Sequence, residues 1–175
     1  MTQTSSPVIR RAIFADAHLL AKLGARTFSE TFAADNKPED MAAYVATSFN
    51  AEQLESELSD SRSIFLIAEI DGIAVGYARL HAGDVSKSVE GESPIELVRL
   101  YVSAAWLGRG VGEALMRACI SEVRQEGYRT LWLGVWEHNS RARAFYRKWA
   151  FHEVGEHNFQ LGADRQTDVL MERSV

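Results

Sequence analysis

Residues 100–115 read LYVSAAWLGRGVGEAL, an apolar run that breaks into Gly108, Gly110 and Gly112 and then resumes with helical spacing. Glycine tolerates backbone angles that other residues avoid, so the stretch reads as the end of a strand (95–102, IELVRLYV) turning sharply into a helix. Val111, Ala114, Leu115 and Ala118 give that helix an apolar stripe, which holds its N-terminus against a sheet. Several unpaired amides converge at such a turn, an arrangement that suits a phosphate or pyrophosphate. Two familiar phosphate motifs do not fit. No Gly-Lys-Ser/Thr follows, as a P-loop requires, and the third glycine of G-x-G-x-x-G falls on Glu113. On the glycines alone, phosphate binding and plain tight packing both stay open.

Downstream, the helical pattern runs to Gly127, TLWLGVW (130–136) reads as a strand, and SRARAFYRKW (140–149) reads as a helix that Asn139 can cap. Closing strands are expected at 151–160 and 167–172. Upstream, SIFLIAEIDGIAVGYARLHA (63–82) is two β-rich runs around Asp71-Gly72, a dipeptide suited to a tight hairpin. Residues 83–94 are polar and Gly/Ser-rich, a surface loop. Three helices precede the hairpin: Asp16 opens one with Leu19, Leu20, Leu23 and Phe28 at helical spacing, Pro38 starts the next, and Asn50 caps the third. VIRRAI (8–13) is a first strand. Strand-helix-strand-helix in the middle implies a parallel pair, and the hairpins on either side add antiparallel strands. The expected fold is α/β, a mixed, mostly antiparallel twisted sheet with one central parallel pair and flanking helices, in one domain spanning 1–175.

The chain has 175 residues, of which 46% are hydrophobic and 25% charged, enough for one good core. A formal charge of −5 argues against a nucleic-acid surface and leaves room for a cationic substrate. The opening MTQTSSPVIRRA lacks an apolar leader core, and nowhere do about 18 apolar residues run together. No membrane anchoring is expected, and a soluble cytoplasmic protein is. Cys119 sits on an apolar helical face and reads as core. No metal site is expected: His152 and His157 are an odd number apart on one strand, which puts them on opposite faces, and His138 has no spaced partner.

LYVSAAWLGRGVGEAL, followed by NSRARAFYRKWAF (139–151), closely resembles the acetyl-CoA motifs of the GCN5-related N-acetyltransferases, the GNAT family. The resemblance implies a GNAT fold and acetyl-CoA as cosubstrate. It implies that the amides of Gly108, Arg109, Gly110, Val111 and Gly112 hold the pyrophosphate and that the backbone at Leu100 and Val102 pairs with the pantetheine arm. One departure is Leu107, where the family usually has Arg or Gln; Arg109 is the nearest cation to replace it. Asn139 is expected to contact the coenzyme. TFSETFAADNKPEDMAAYV, WLGVWEHN and HNFQLGADRQTDVLM together look like the bacterial PaiA-type spermidine/spermine N-acetyltransferases.

Tyr146 shares a helix face with Ala142, Phe145 and Trp149, which on pattern alone marks a core residue. Acetyl transfer to an amine releases a thiolate, and a phenol with an ordinary pKa near 10 is a suitable acid for it. The resemblance puts Tyr146 beside the cofactor sulfur in that role. The ammonium must itself lose a proton before it attacks; the resemblance makes Glu96 the expected base, directly or through a water, while its place on the strand alone fits a solvent-facing Glu equally well. Gly134 within LWLGVW marks either a bend or a close approach. A polyamine would need carboxylates, with Glu30, Asp35, Asp40, Asp84, Glu90 and Glu92 as candidates. The histidines read better as surface residues, with a place near the acceptor left open for His138 by its neighbour Asn139. A small amine, probed first as a polyamine, is the expected partner, and a homodimer fits the family. Acetylation of a protein N-terminus, a lysine or another amine is the rival activity, and a non-catalytic acyl-CoA-binding regulator is the rival from another class.

Overall fold

In the computed structural model, which describes residues 5–175, seven strands form one sheet. The strands are β1 Val8–Arg11, β2 Ser63–Ile70, β3 Ile73–His81, β4 Pro94–Val102, β5 Thr130–Trp136, β6 His152–Leu161 and β7 Asp164–Ser174. The helices are α1 Ala17–Phe32, α2 Pro38–Ser48, α3 Ala51–Ser59, α4 Val111–Gln125 and α5 Ser140–Lys148. The spatial order is β1-β2-β3-β4-β5-β7-β6. β4 and β5 run parallel, and the other neighbours are antiparallel. The α/β class and the central parallel pair are as the element order implied. The start of the chain that was read for a leader, residues 1–4, lies outside the described residues.

Side-chain alternation sorts the two faces. Leu66 and Ala68 of β2 join α4 and Tyr146 in one core cluster, while Phe65 and Ile67 join α1, α2 and α3 in another. Asn50 caps α3 by accepting the Gln53 amide at 2.8 Å, and Asp71 and Gly72 turn the β2–β3 hairpin at φ 51° and 76°. Cys119 is fully buried, and burial pushes its thiol up to about 12. Two expectations shift. A short 3-10 turn over Phe14–Asp16 precedes α1, with the Asp16 carboxylate accepting the Ile13 amide at 2.8 Å. Leu19 is exposed, because the stripe of α1 runs through Leu20, Leu23 and Phe28 instead.

Breaks in register shape the middle of the sheet. Arg79 faces Arg99 while Leu80 faces Leu97, so Val98 is an extra residue in β4. A bulge bends the strand that carries it. Accordingly β4 meets β5 over three pairs, Pro94 with Thr130, Ile95 with Leu131 and Glu96 with Trp132, and then the two strands part. A second bulge lies in β6, where Glu153 faces Met171 and Gly155 faces Leu170, leaving Val154 unpaired. His152 and His157 therefore face Glu172 and Asp168, four residues apart on β7. The expectation of opposite faces is overturned: the extra residue reverses the alternation and brings both histidines to one side.

Candidate active site

A cavity of about 1090 Å³ occupies the split between β4 and β5. Its first wall is the open edge of β4. The Ser103 amide bonds to Val75 O at 2.8 Å, and a Cβ on Gly76 would stand 2.8 Å from the Tyr101 carbonyl, so residues 101 and 103 turn their polar groups toward β3. Backbone groups alternate along a strand, which leaves those of Leu100 and Val102 facing the split. α1 steadies this end of β4, where Arg26 donates to Ser103 Oγ at 2.9 Å and the Ala104 amide donates to Glu30 Oε2 at 2.8 Å.

Gly108, Gly110 and Gly112 line one end of the cavity. Gly108 and Gly110 have φ of 72° and 81°, which a β-branched residue resists, and no side chain caps α4. The amides of its first turn are therefore free to take an anion, with the helix dipole aligned to help. Val111 is buried and anchors the turn in the core, and a Cβ on Gly112 would lie 3.7 Å from the Phe145 ring. Arg109 does not border the cavity; its guanidinium lies 5.2 Å over the Trp106 ring. Arg141 and Lys148 of α5 do border it. Neither was singled out from the sequence, where the demand of an anionic cofactor for counter-charge was the signal available. Asn139 also lines the cavity, its Oδ1 accepting the Ala142 amide at 3.2 Å, which leaves the side-chain NH2 for a ligand. Free amides, flanking cations and an unpaired strand edge together fit a coenzyme A thioester.

Tyr146 lies between the two ends, its ring against Phe145 and Phe151 at 5.5 and 5.6 Å. Burial, with the nearby Cys119 adding to it, holds the phenol's pKa above the ordinary tyrosine value, so it keeps its proton. Glu96 borders the far end. Burial raises its carboxyl, His157 and Arg79 pull it down, and Asp168 raises it; the net direction is up. Asp168 is raised by burial against the opposing charge of His157. Phe28, Phe32, Tyr44, Trp136 and Phe159 wall this end, with Phe28 on Tyr44 at 4.7 Å, Tyr44 on Phe159 at 5.4 Å and Phe32 on Trp136 at 6.1 Å. Gly134 is a close approach: a Cβ there would stand 3.2 Å from both Asp168 Oδ2 and His157 Nε2.

Of the six carboxylates suggested for a polycation, Glu30 borders the cavity. Asp40 is buried and accepts the Ala163 amide at 2.8 Å, Glu92 pairs with Arg129 at 2.9 Å, and Asp35, Asp84 and Glu90 lie elsewhere. His138 is an exposed neighbour of Trp136 rather than part of the lining. Asp168 and His157 were missed. Among the described residues no helix is long and apolar enough to cross a membrane, and no three His, Cys, Asp or Glu side chains could hold a metal ion.

The family model of the acetyltransferase (GNAT) family matches residues 25–151. An uncharacterised N-acetyltransferase of Lactobacillus delbrueckii subsp. lactis is 36% identical over 149 residues, covering 85% of this chain and 86% of that protein. An aminoglycoside N(6')-acetyltransferase type 1 of Stenotrophomonas maltophilia is 29% identical over 151 residues, covering 86% and 89%. Among solved structures, the PaiA N-acetyltransferase of Thermoplasma acidophilum in complex with coenzyme A superposes with a TM-score of 0.79 at 21% identity, over 97% of this chain and 99% of that one, which shows a shared fold. The chain belongs to the GNAT family of acetyltransferases. It is an acetyl-CoA-dependent N-acetyltransferase.

Proposed function

We propose that the enzyme acetylates a primary amine of a small polycation, spermidine or spermine, by direct attack on the thioester. The observation that carries this reading is the far end of the cavity, where aromatic walls surround two carboxylates, Glu96 and Asp168, each raised from its ordinary value by burial. An ammonium relieves such desolvated carboxylates, and aromatic faces attract cations and cover methylene spacers. A peptide N-terminus carries one such charge, whereas a polyamine repeats it along an apolar chain.

In this reading the pyrophosphate lies on the amides from Gly108 to Gly112, including those of Arg109 and Val111. The pantetheine arm pairs with Leu100 and Val102, and Asn139 holds the coenzyme beside it. Glu96 draws the ammonium and receives its proton, directly or through a water. The freed lone pair attacks the thioester carbon, and the tetrahedral intermediate expels the thiolate, which takes the Tyr146 proton. The amine relatives support a basic acceptor, since the Stenotrophomonas protein is named for an aminoglycoside amine. A thiol-release assay with acetyl-CoA and a panel of polyamines, aminoglycosides, amino acids and peptides tests it. Spermidine or spermine should give the highest kcat/KM; a peptide or an aminoglycoside turned over more efficiently would sink the polyamine reading.

A further inference from the structure

The bulge at Val154 does more than bend β6. It aims His157 at the same side as Asp168, with Nε2 3.4 Å from Asp168 Oδ2, and Gly134 of β5 withholds the side chain that would crowd both. Bulges beside active sites commonly re-aim a side chain in this way. The groups that act on this spot come from three strands: Asp168 of β7, His157 of β6 and Glu96 of β4, with Arg79 of β3 acting in turn on Glu96. His152, nearer the start of β6, faces Glu172 at 3.8 Å instead.

We propose that His157, held by Asp168, is the second half of the base that deprotonates the acceptor amine, with Glu96 as the first. The inference rests on the assignment of Glu96 and Tyr146 above. A carboxylate is a weak base toward an ammonium, and an imidazole is by its chemistry the stronger of the two. With Nε2 facing Asp168 Oδ2 at 3.4 Å, the ring's other nitrogen is the one left to accept the proton. The amine's N–H bond breaks as Glu96 takes the proton and passes it to the imidazole, where an N–H bond forms, and Glu96, negative again, steadies the imidazolium. The amine's electron pair then forms the C–N bond as the C–S bond breaks. The thiolate takes the phenol's proton, the acylated nitrogen gives up its second proton to restore the phenol, and the proton on His157 leaves to water through its 40% exposed side chain. Asp168 is a positioning residue in this scheme.

The test measures kcat/KM across neutral and alkaline pH in wild type, His157→Gln, His157→Ala, Glu96→Gln, the Glu96→Gln/His157→Gln double variant and His152→Ala. His157→Gln keeps the side chain's bulk but cannot accept the proton, and should lose on the order of 10²-fold at neutral pH. Its rate should keep climbing with pH where the wild type has levelled off, because the amine must then deprotonate in water. The double variant should be no worse than the poorer single one, as two groups acting on one proton require. Added imidazole should restore His157→Ala saturably, and His152→Ala should match wild type. Losses that multiply in the double variant, a pH profile unchanged by His157→Gln, absence of imidazole rescue, or an equal loss in His152→Ala would each overturn the proposal. The variants are assayed with whichever panel amine the wild type uses best. Rejection of polyamines therefore tells against the polycation reading alone, and the His157 result stands separately.

Discussion

One hydroxyl separates a catalytic Tyr146 from a packing residue. Tyr146→Phe keeps the ring against Phe145 and Phe151, so the variant should fold and bind acetyl-CoA nearly as wild type while kcat falls on the order of 10²–10⁴-fold. Stopped-flow or steady-state kinetics with a separate binding isotherm checks this, and a loss under about threefold would return Tyr146 to the core. The acid works while it holds its proton, so activity is lost as pH rises through its pKa. Burial raises that pKa, which puts the alkaline limb of the wild-type profile above the ordinary tyrosine value of about 10, and the limb should be absent from the variant's residual activity. The expected places of Tyr146, Asn139 and the glycines came from a motif that is continuous in the sequence, and all of them line the cavity. Asp168 and His157 were not legible in that way: their partnership depends on an unpaired Val154, and an odd spacing of two histidines reads the wrong way until that bulge is counted.

The turn from β4 into α4 is the element that separates binding from folding. A Cβ at position 110 would meet no atom within 4 Å, but Gly110→Val forces a β-branched residue to φ 81°, and Gly112→Asp sets a carboxylate at the amide cradle. Both should weaken acetyl-CoA binding at least tenfold by calorimetry, a loss of about 1.4 kcal/mol, with the far-UV spectrum unchanged. A deeper support lies under β4. Glu57 of α3 takes both guanidinium nitrogens of Arg99 at 2.6 and 3.0 Å and Arg79 at 3.1 Å, all three side chains being nearly buried. Glu57→Gln strands two buried cations beneath the catalytic strand and should cost about 3–5 kcal/mol in urea unfolding at neutral pH. Burial by itself would raise the Glu57 pKa, but Arg99 and then Arg79 outweigh it and the net shift is downward. Its stabilisation is thus present above the ordinary glutamate range and lost as pH falls through the lowered folded value. Element order and most boundaries were legible from periodicity and caps. The parting of β4 from β5 was not, because a bulge at Val98 leaves no mark in hydrophobic spacing.

Across the whole molecule the charge of −5 sets opposite conditions for the two substrates. A polycationic acceptor, as proposed, would be drawn toward Glu30, Glu96 and Asp168, whereas coenzyme A would meet Arg141 and Lys148 beside the cavity. Raising ionic strength should therefore raise the KM of a polyamine more than that of acetyl-CoA, and a salt-independent amine KM would point to a neutral acceptor. The same scale shows what three rungs between β4 and β5 mean mechanically. Four strands on one side and three on the other are joined in the sheet by the pairs from Pro94 to Glu96 alone, a hinge rather than a seam. A coenzyme pairing with the open edge closes that hinge, so the melting temperature should climb with coenzyme A, by about 2.7 kcal/mol of added stability at a hundred times Kd. Deuterium uptake should show where. The amides of Leu100 and Val102 should exchange quickly until coenzyme A is added and slowly afterwards, while the Ser103 amide, already bonded to Val75, should be slow throughout.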